Sequence, residues 1–102
     1  MLGYKLSPEA DLDLEEIFLY TIQTFGLSQA EKYLGEIKAA FSSIIDAPTA
    51  AINRKMIVAE QEIYARRVGS HRIFYRPRRT GIEIVRVLHT AQDIEQNLNL
   101  EK

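Results

Sequence analysis

Apolar residues first recur at helical spacing between positions 8 and 25. Ala10, Leu14, Ile17, Phe18 and Phe25 return every three or four residues or a multiple of that, while Glu9, Asp11, Asp13, Glu15 and Glu16 supply the polar side. Ser7 and Pro8 predict the start of this helix, because a serine hydroxyl can accept from an orphan backbone N–H and proline at the first helical position has no N–H to satisfy. The acidic residues then lie toward the positive end of the helix dipole, and Gly26 supplies the stop. A second, more regular stripe follows in Ala30, Tyr33, Leu34, Ile37, Phe41, Ile44 and Ile45, with Ser28 and Glu31 spaced as a capping box and Pro48 closing the helix. The very short link after Gly26 predicts an antiparallel pair.

The period changes to two after position 62. Ile63–Val68, His71–Arg76 and Ile82–His89 read as strands joined by turns at Gly69-Ser70 and 77–81, which predicts an antiparallel meander. Ile82, Ile84, Val85, Val87 and Leu88 carry apolar groups on both faces, the mark of a central strand covered by helices on at least one side. In His71–Arg76, alternation puts His71, Ile73 and Tyr75 on one face and Arg72, Phe74 and Arg76 on the other. Tyr4-Lys5-Leu6 predicts a short opening strand, and Ile94 with Leu98 a short terminal helix started by Thr90-Ala91-Gln92-Asp93. Residues 47–62 have no clear period and predict a loop with a short edge strand. The expected fold is α+β: an N-terminal strand and an antiparallel two-helix hairpin packed on a small antiparallel sheet, with a short C-terminal helix, all in one domain over residues 1–102.

Length and composition fit one core, with 102 residues and 46% hydrophobic content. The chain has no cysteine, which excludes disulfides, thiolate metal sites and cysteine nucleophiles and fits a reducing compartment. Residues 1–6 lack the pattern of a signal peptide, and no apolar run reaches the roughly 20 residues of a membrane span. A cytoplasmic protein without membrane contact is expected. Charge changes the picture more. Residues 1–46 hold 3 basic and 8 acidic groups, whereas residues 47–90 hold 9 basic and 3 acidic ones, against a net −1 for the chain. Such segregation suggests a surface for an anionic partner, and its competing reading is a solvated strand face whose arginines pair with the acidic helices.

Candidate chemistry is sparse. The five glycines form no phosphate-binding loop, two histidines are too few for a metal site, and Ser70, His89 and Asp93 make a weak triad because Asp93 already suits a helix start. No cofactor and no metal are expected. Arg67, Arg72, Arg76 and Arg86, with His71, Tyr75 and His89, could in principle grip phosphates and move protons, as RNA cleavage needs, but strand alternation keeps them from converging.

The string GSHRIFYRPRRTGIEIVRVLH from Gly69 to His89, the opening YKLSPEADLDLEEIFLYTIQTFG, and AEKYLGEIKAAFSSI together resemble the ParE toxins of the RelE/ParE superfamily over nearly the whole chain. The resemblance implies the toxin of a type II toxin–antitoxin pair, held by a ParD-like antitoxin and, when free, poisoning DNA gyrase without being an enzyme. Alternatives are a RelE-like ribosome-dependent mRNA endonuclease and a non-toxic interaction module of the same fold. The acidic terminal helix and Thr90-Ala91-Gln92 after His89 argue against a complete ribonuclease site. Expected antitoxin contacts are Phe18, Tyr33, Ile37 and Phe41 for a groove, each with core packing as its competing role, and Arg67, Arg72, Arg76 and Arg86 for charge. His71, Tyr75, Arg86, His89 and Asp93 are candidates for toxicity. No sequence-specific nucleic-acid contact is expected.

Overall fold

A computed structural model describes residues 3–92 and 94–98. In order, the elements are β1 (Gly3–Leu6), α1 (Pro8–Phe25), α2 (Leu27–Asp46), β2 (Arg54–Val58), β3 (Gln61–Val68), β4 (His71–Arg78), β5 (Gly81–His89) and α3 (Ile94–Leu98). The strands form one sheet in the order β1-β5-β4-β3-β2. β2 to β5 are an antiparallel meander, and β1 lies parallel to β5, with Gly3 opposite Gly81 and Leu6 opposite Ile84. The sheet is therefore mixed, a difference from the antiparallel expectation that arises because the hairpin and three strands separate β1 from β5 in sequence.

Ser7 caps α1 as expected, accepting from the Ala10 N–H at 3.0 Å. Its hydroxyl also donates to the Val85 carbonyl at 2.7 Å, so one side chain ends β1, starts α1 and ties both to β5. The capping box at Ser28 is not used. Gly26 alone separates the helices, α2 begins at Leu27, and Ser28 falls inside its first turn with no side-chain cap bond formed. The ambiguous segment holds a five-residue edge strand, β2, joined to β3 by Ala59 and Glu60, both at positive φ. That is the paired left-handed geometry of a tight hairpin turn. β4 runs two residues past Arg76. Pro77 pairs with Ile82 on one side, and its missing N–H is tolerated because the β3 ladder has ended at Tyr64 and Tyr75.

Two apolar clusters sandwich the sheet. On the helix side, Ala10, Leu14, Ile37, Phe41 and Ile44 pack on Tyr64, Ile73, Tyr75, Ile82, Ile84 and Val87. On the far side, Ile63, Ala65, Phe74, Val85 and Leu88 lie under Leu98 of α3. β5 feeds both, as its two-faced apolar pattern predicts. A bulge makes this possible: Phe74 faces Arg86 and Tyr75 faces Ile84, leaving Val85 unpaired. Phe25, read as part of the α1 stripe, is instead 67% exposed at the helix end.

Candidate functional site

β1 covers β5 only as far as Ile84, so the rest of that strand would present open backbone groups at the sheet edge. α1 closes the gap. Asp13 lies one turn beyond Ala10 and one turn before Ile17, on the inward face, and accepts from the Val87 N–H at 3.0 Å. The same carboxylate takes a two-pronged grip from Arg86, Nε to Oδ2 at 2.7 Å and Nη2 to Oδ1 at 2.9 Å. Arg86 also donates through Nη1 to the Asn97 carbonyl of α3. Both side chains are largely buried, at 10% and 19% exposure. The Asp13 hydrogen bonds raise the Arg86 pKa above its ordinary value, with burial acting against them. The guanidinium thus clamps the sheet edge, α1 and α3 together.

Beside this clamp a cavity of about 770 Å³ opens between α1, the first turns of α2, the Gly69-Ser70 turn and the end of β5. Its floor is a pair of histidines. His71 and His89 are register partners on β4 and β5, with rings edge to face and centroids 5.4 Å apart. The Tyr33 hydroxyl donates to the Val68 carbonyl at 3.0 Å and stands 2.6 Å from His71 Nδ1, so with its one proton engaged it accepts from Nδ1–H. His89 Nδ1 accepts from the Ala91 N–H at 3.0 Å, which places the proton of its neutral ring on Nε2. The tight turn brings Gly69 against Tyr33: a Cβ there would stand 2.8 Å from the tyrosine ring. Ile17, Tyr20, Thr21 and Phe25 form the α1 wall of the cavity.

Burial lowers the His71 pKa, the nearby His89 adds to the effect, and Asp13 opposes it. The folded chain therefore favours the neutral ring more than the unfolded chain does. Its contribution to stability is complete above the unfolded value of about 6.5 and is lost as pH falls from there toward the lowered value. Urea midpoints measured from about pH 7.5 to about 5.5 should decline in the wild type and decline less in His71→Gln. Equal slopes in the two proteins would contradict this coupling.

The residues expected at functional positions divide sharply. Ile37 and Phe41 are fully buried under the hairpin and Tyr75 is fully buried beneath it, so none of the three presents a surface to a partner. Their core role prevails because their apolar bulk fills the space between hairpin and sheet. The Tyr75 hydroxyl donates to the Pro48 carbonyl, and burial pushes its pKa up to about 12. Phe18 and Tyr33 are half-buried. Arg76 pairs with Glu83 at 3.1 Å, and Arg86 is held by Asp13. Arg67 and Arg72, by contrast, face each other across β3 and β4 with no ion-pair partner among the described residues. Strand alternation places Arg72 on the far face of the sheet, with Phe74. Asp93 lies outside the described residues. No group of three or more potential metal ligands occurs among the described residues.

Sequence reasoning missed Asp13 as a structural centre, grouping it with the exposed acids of α1. Its spacing of three from Ala10 and four from Ile17, within the apolar stripe, was the available signal. Tyr20 and Gln92, which line the cavity, were also overlooked as site residues.

A hairpin of helices over a mixed five-stranded sheet, with a side cavity and a guanidinium clamp, is the architecture of small toxins from toxin–antitoxin pairs. The chain of a chromosomal ParDE system from P. aeruginosa superposes with a TM-score of 0.73 at 18% identity, covering 87% of this chain and 96% of that one. A YoeB-YefM toxin–antitoxin complex from Staphylococcus aureus gives 0.61 at 22% identity, covering 87% and 97%. At these identities the likeness concerns fold alone. Sequence carries it further. The family model of the ParE toxin of type II toxin-antitoxin system, parDE, matches residues 4–94. Toxin ParE1 of Mycobacterium tuberculosis is 41% identical over 100 residues, covering 93% of this chain and 96% of the relative. Toxin ParE1 of Caulobacter vibrioides is 34% identical over 98 residues, covering 96% and 99%. The chain belongs to the ParE family of type II toxins.

Proposed function

We propose that this chain, as a single ParE-like domain, acts in the cytoplasm by binding DNA gyrase, without catalysis of its own, and is neutralised by a ParD-like antitoxin. The observation that carries the non-catalytic reading is the engagement of the groups an RNA-cleaving site would need. Arg86 is held by a carboxylate, Arg76 by Glu83, and Tyr75 is buried with its hydroxyl on a backbone carbonyl. Stabilising a charged phosphorane requires cations that can approach it, and these guanidiniums are already paired. For the antitoxin, Arg67 and Arg72 are the charge contacts that remain open, and like charges placed directly opposite on a sheet favour an anionic partner. Phe18 and Tyr33 remain the groove candidates from the hairpin. No helix among the described residues is long and apolar enough to cross a membrane, which accords with a gyrase-directed role.

The purified chain should inhibit gyrase supercoiling or trap cleaved DNA, and added antitoxin should reverse the effect. Intact supercoiling at excess toxin would end the gyrase reading. mRNA cut at the ribosomal A site in a translation reaction, lost in His89→Ala, would establish the endonuclease reading instead, with the facing histidines as its acid and base.

A further inference from the structure

α1 carries an apolar strip that nothing in the described chain covers. Leu12 and Leu19, two turns apart, lie on the solvent face at 59% and 51% exposure, and Tyr20 beside them is 64% exposed. Tyr20 and Glu16 also line the cavity, so the strip runs directly into it. Leucines at this seven-residue spacing on an outer face have no role in the chain's own core. They are the pattern by which one helix offers itself to another.

The charge around the strip is of one sign. α1 contains five acidic residues and no basic one. Asp13 is neutralised by Arg86, whereas Glu9, Asp11, Glu15 and Glu16 have no ion-pair partner among the described residues. This is the reverse of the far face of the sheet, where Arg67 and Arg72 are open. One molecule therefore presents two uncovered surfaces of opposite sign on opposite sides of its sheet, and a single uniformly acidic segment would match only one of them.

We propose that the acidic, leucine-centred face of α1 and the adjoining cavity dock a basic amphipathic helix of the antitoxin, separately from the arginines that take its acidic segment. The inference rests on the antitoxin pairing proposed above and adds the chemistry of a second contact. The partner helix places apolar residues at a three-to-four spacing over Leu12, Leu19 and Tyr20, with lysines or arginines at its margins facing Glu15 and Glu16. One apolar anchor enters the cavity against Ile17, Tyr20 and Tyr33. The toxin-binding region of the antitoxin is accordingly bipolar, a basic helix joined to an acidic stretch.

The test titrates the chain's own full-length antitoxin against the intact toxin by calorimetry. Two double variants are compared with wild type: Glu15→Lys with Glu16→Lys, and Leu12→Ser with Leu19→Ser. All four positions are exposed, so unchanged thermal melts verify the fold. Each double variant should bind on the order of tenfold more weakly or worse. The loss from charge reversal, and not that from leucine removal, should shrink at high salt. Wild-type affinity in both variants, or tighter binding by the lysine variant, overturns the inference while the antitoxin pairing stands. An antitoxin that does not bind wild-type toxin removes the pairing itself and this inference with it.

Discussion

Asp13→Ala is expected to lower folding stability by about 3–5 kcal/mol, because removing one partner of a largely buried ion pair leaves the other charge uncompensated. Three donors lose their acceptor at once: Arg86 Nε, Arg86 Nη2 and the Val87 N–H. A domain of this size has about 5–15 kcal/mol in total, so the variant should be marginal at 37 °C. Urea unfolding measures the change directly. Asp13→Asn should cost less, since its amide oxygen can still accept from Val87, although it cannot match the two-pronged guanidinium contact. A loss below about 1 kcal/mol for Asp13→Ala would mean that the pair behaves like a surface contact.

The same pair decides how any effect of Arg86 on toxicity should be read. Arg86→Ala leaves Asp13 buried without its counter-ion, so loss of toxicity in that variant could reflect unfolding alone. Replacing both, as Asp13→Leu with Arg86→Met, removes the two charges together and is expected to recover much of the stability lost by either single change. Toxicity that returns with stability in the double variant makes Arg86 a structural clamp. A stable double variant that stays inactive makes its charge part of the action on the target.

How much of this was legible in the sequence depends on how local each feature is. Both helices, the β3, β4 and β5 strands and the Gly69 turn follow from periodicity and turn chemistry within a few residues. Facing in β4 was also legible: Ile73 and Tyr75 join the helix-side cluster and Phe74 the far one, as alternation requires. The β2–β3 hairpin was obscured because Ala59 and Glu60, not Asn or Gly, adopt its positive-φ turn. Ser28 satisfied the capping pattern, yet the one-residue link at Gly26 moved the helix start ahead of it. The candidate site suffered most from non-local facts. That Asp13 meets Arg86, 73 positions away, depends on where β1 stops covering β5, and no spacing within either segment encodes that. Likewise, Ile37 and Phe41 could be groove or core until the hairpin's depth on the sheet was known.

Gly81→Ala tests that long-range closure. Gly81 has φ +136°, and a Cβ on it would stand 1.8 Å from the Gly3 carbonyl oxygen, a distance that backbone cannot tolerate. The only relief is for β1 to move off β5. With it go the β1–β5 ladder, the Gly3 N–H bond to the Thr80 carbonyl at 3.0 Å and the contact of Tyr4 on Phe41, whose rings lie 4.8 Å apart. Leu6 would lose its place against the helix-side core. The combined loss is expected to be about 3 kcal/mol or more, in the range that backbone strain and lost packing reach together. That corresponds to a fall in Tm of roughly 10–20 °C. Hydrogen exchange should localise the damage, with the amides of residues 82–84 on β5 exchanging faster while the β3–β4 ladder stays protected. The Ser7 cap makes the consequence wider than one strand. Its amide bonds the Ile84 carbonyl at 2.9 Å and its hydroxyl the Val85 carbonyl, so displacement of β1 pulls on the first turn of α1 and, through it, on Asp13. Gly81→Ala should therefore weaken the Arg86 clamp as well, and its cost should overlap that of Asp13→Ala in the combined variant instead of adding to it. Strict additivity would show that β1 and the clamp are held independently.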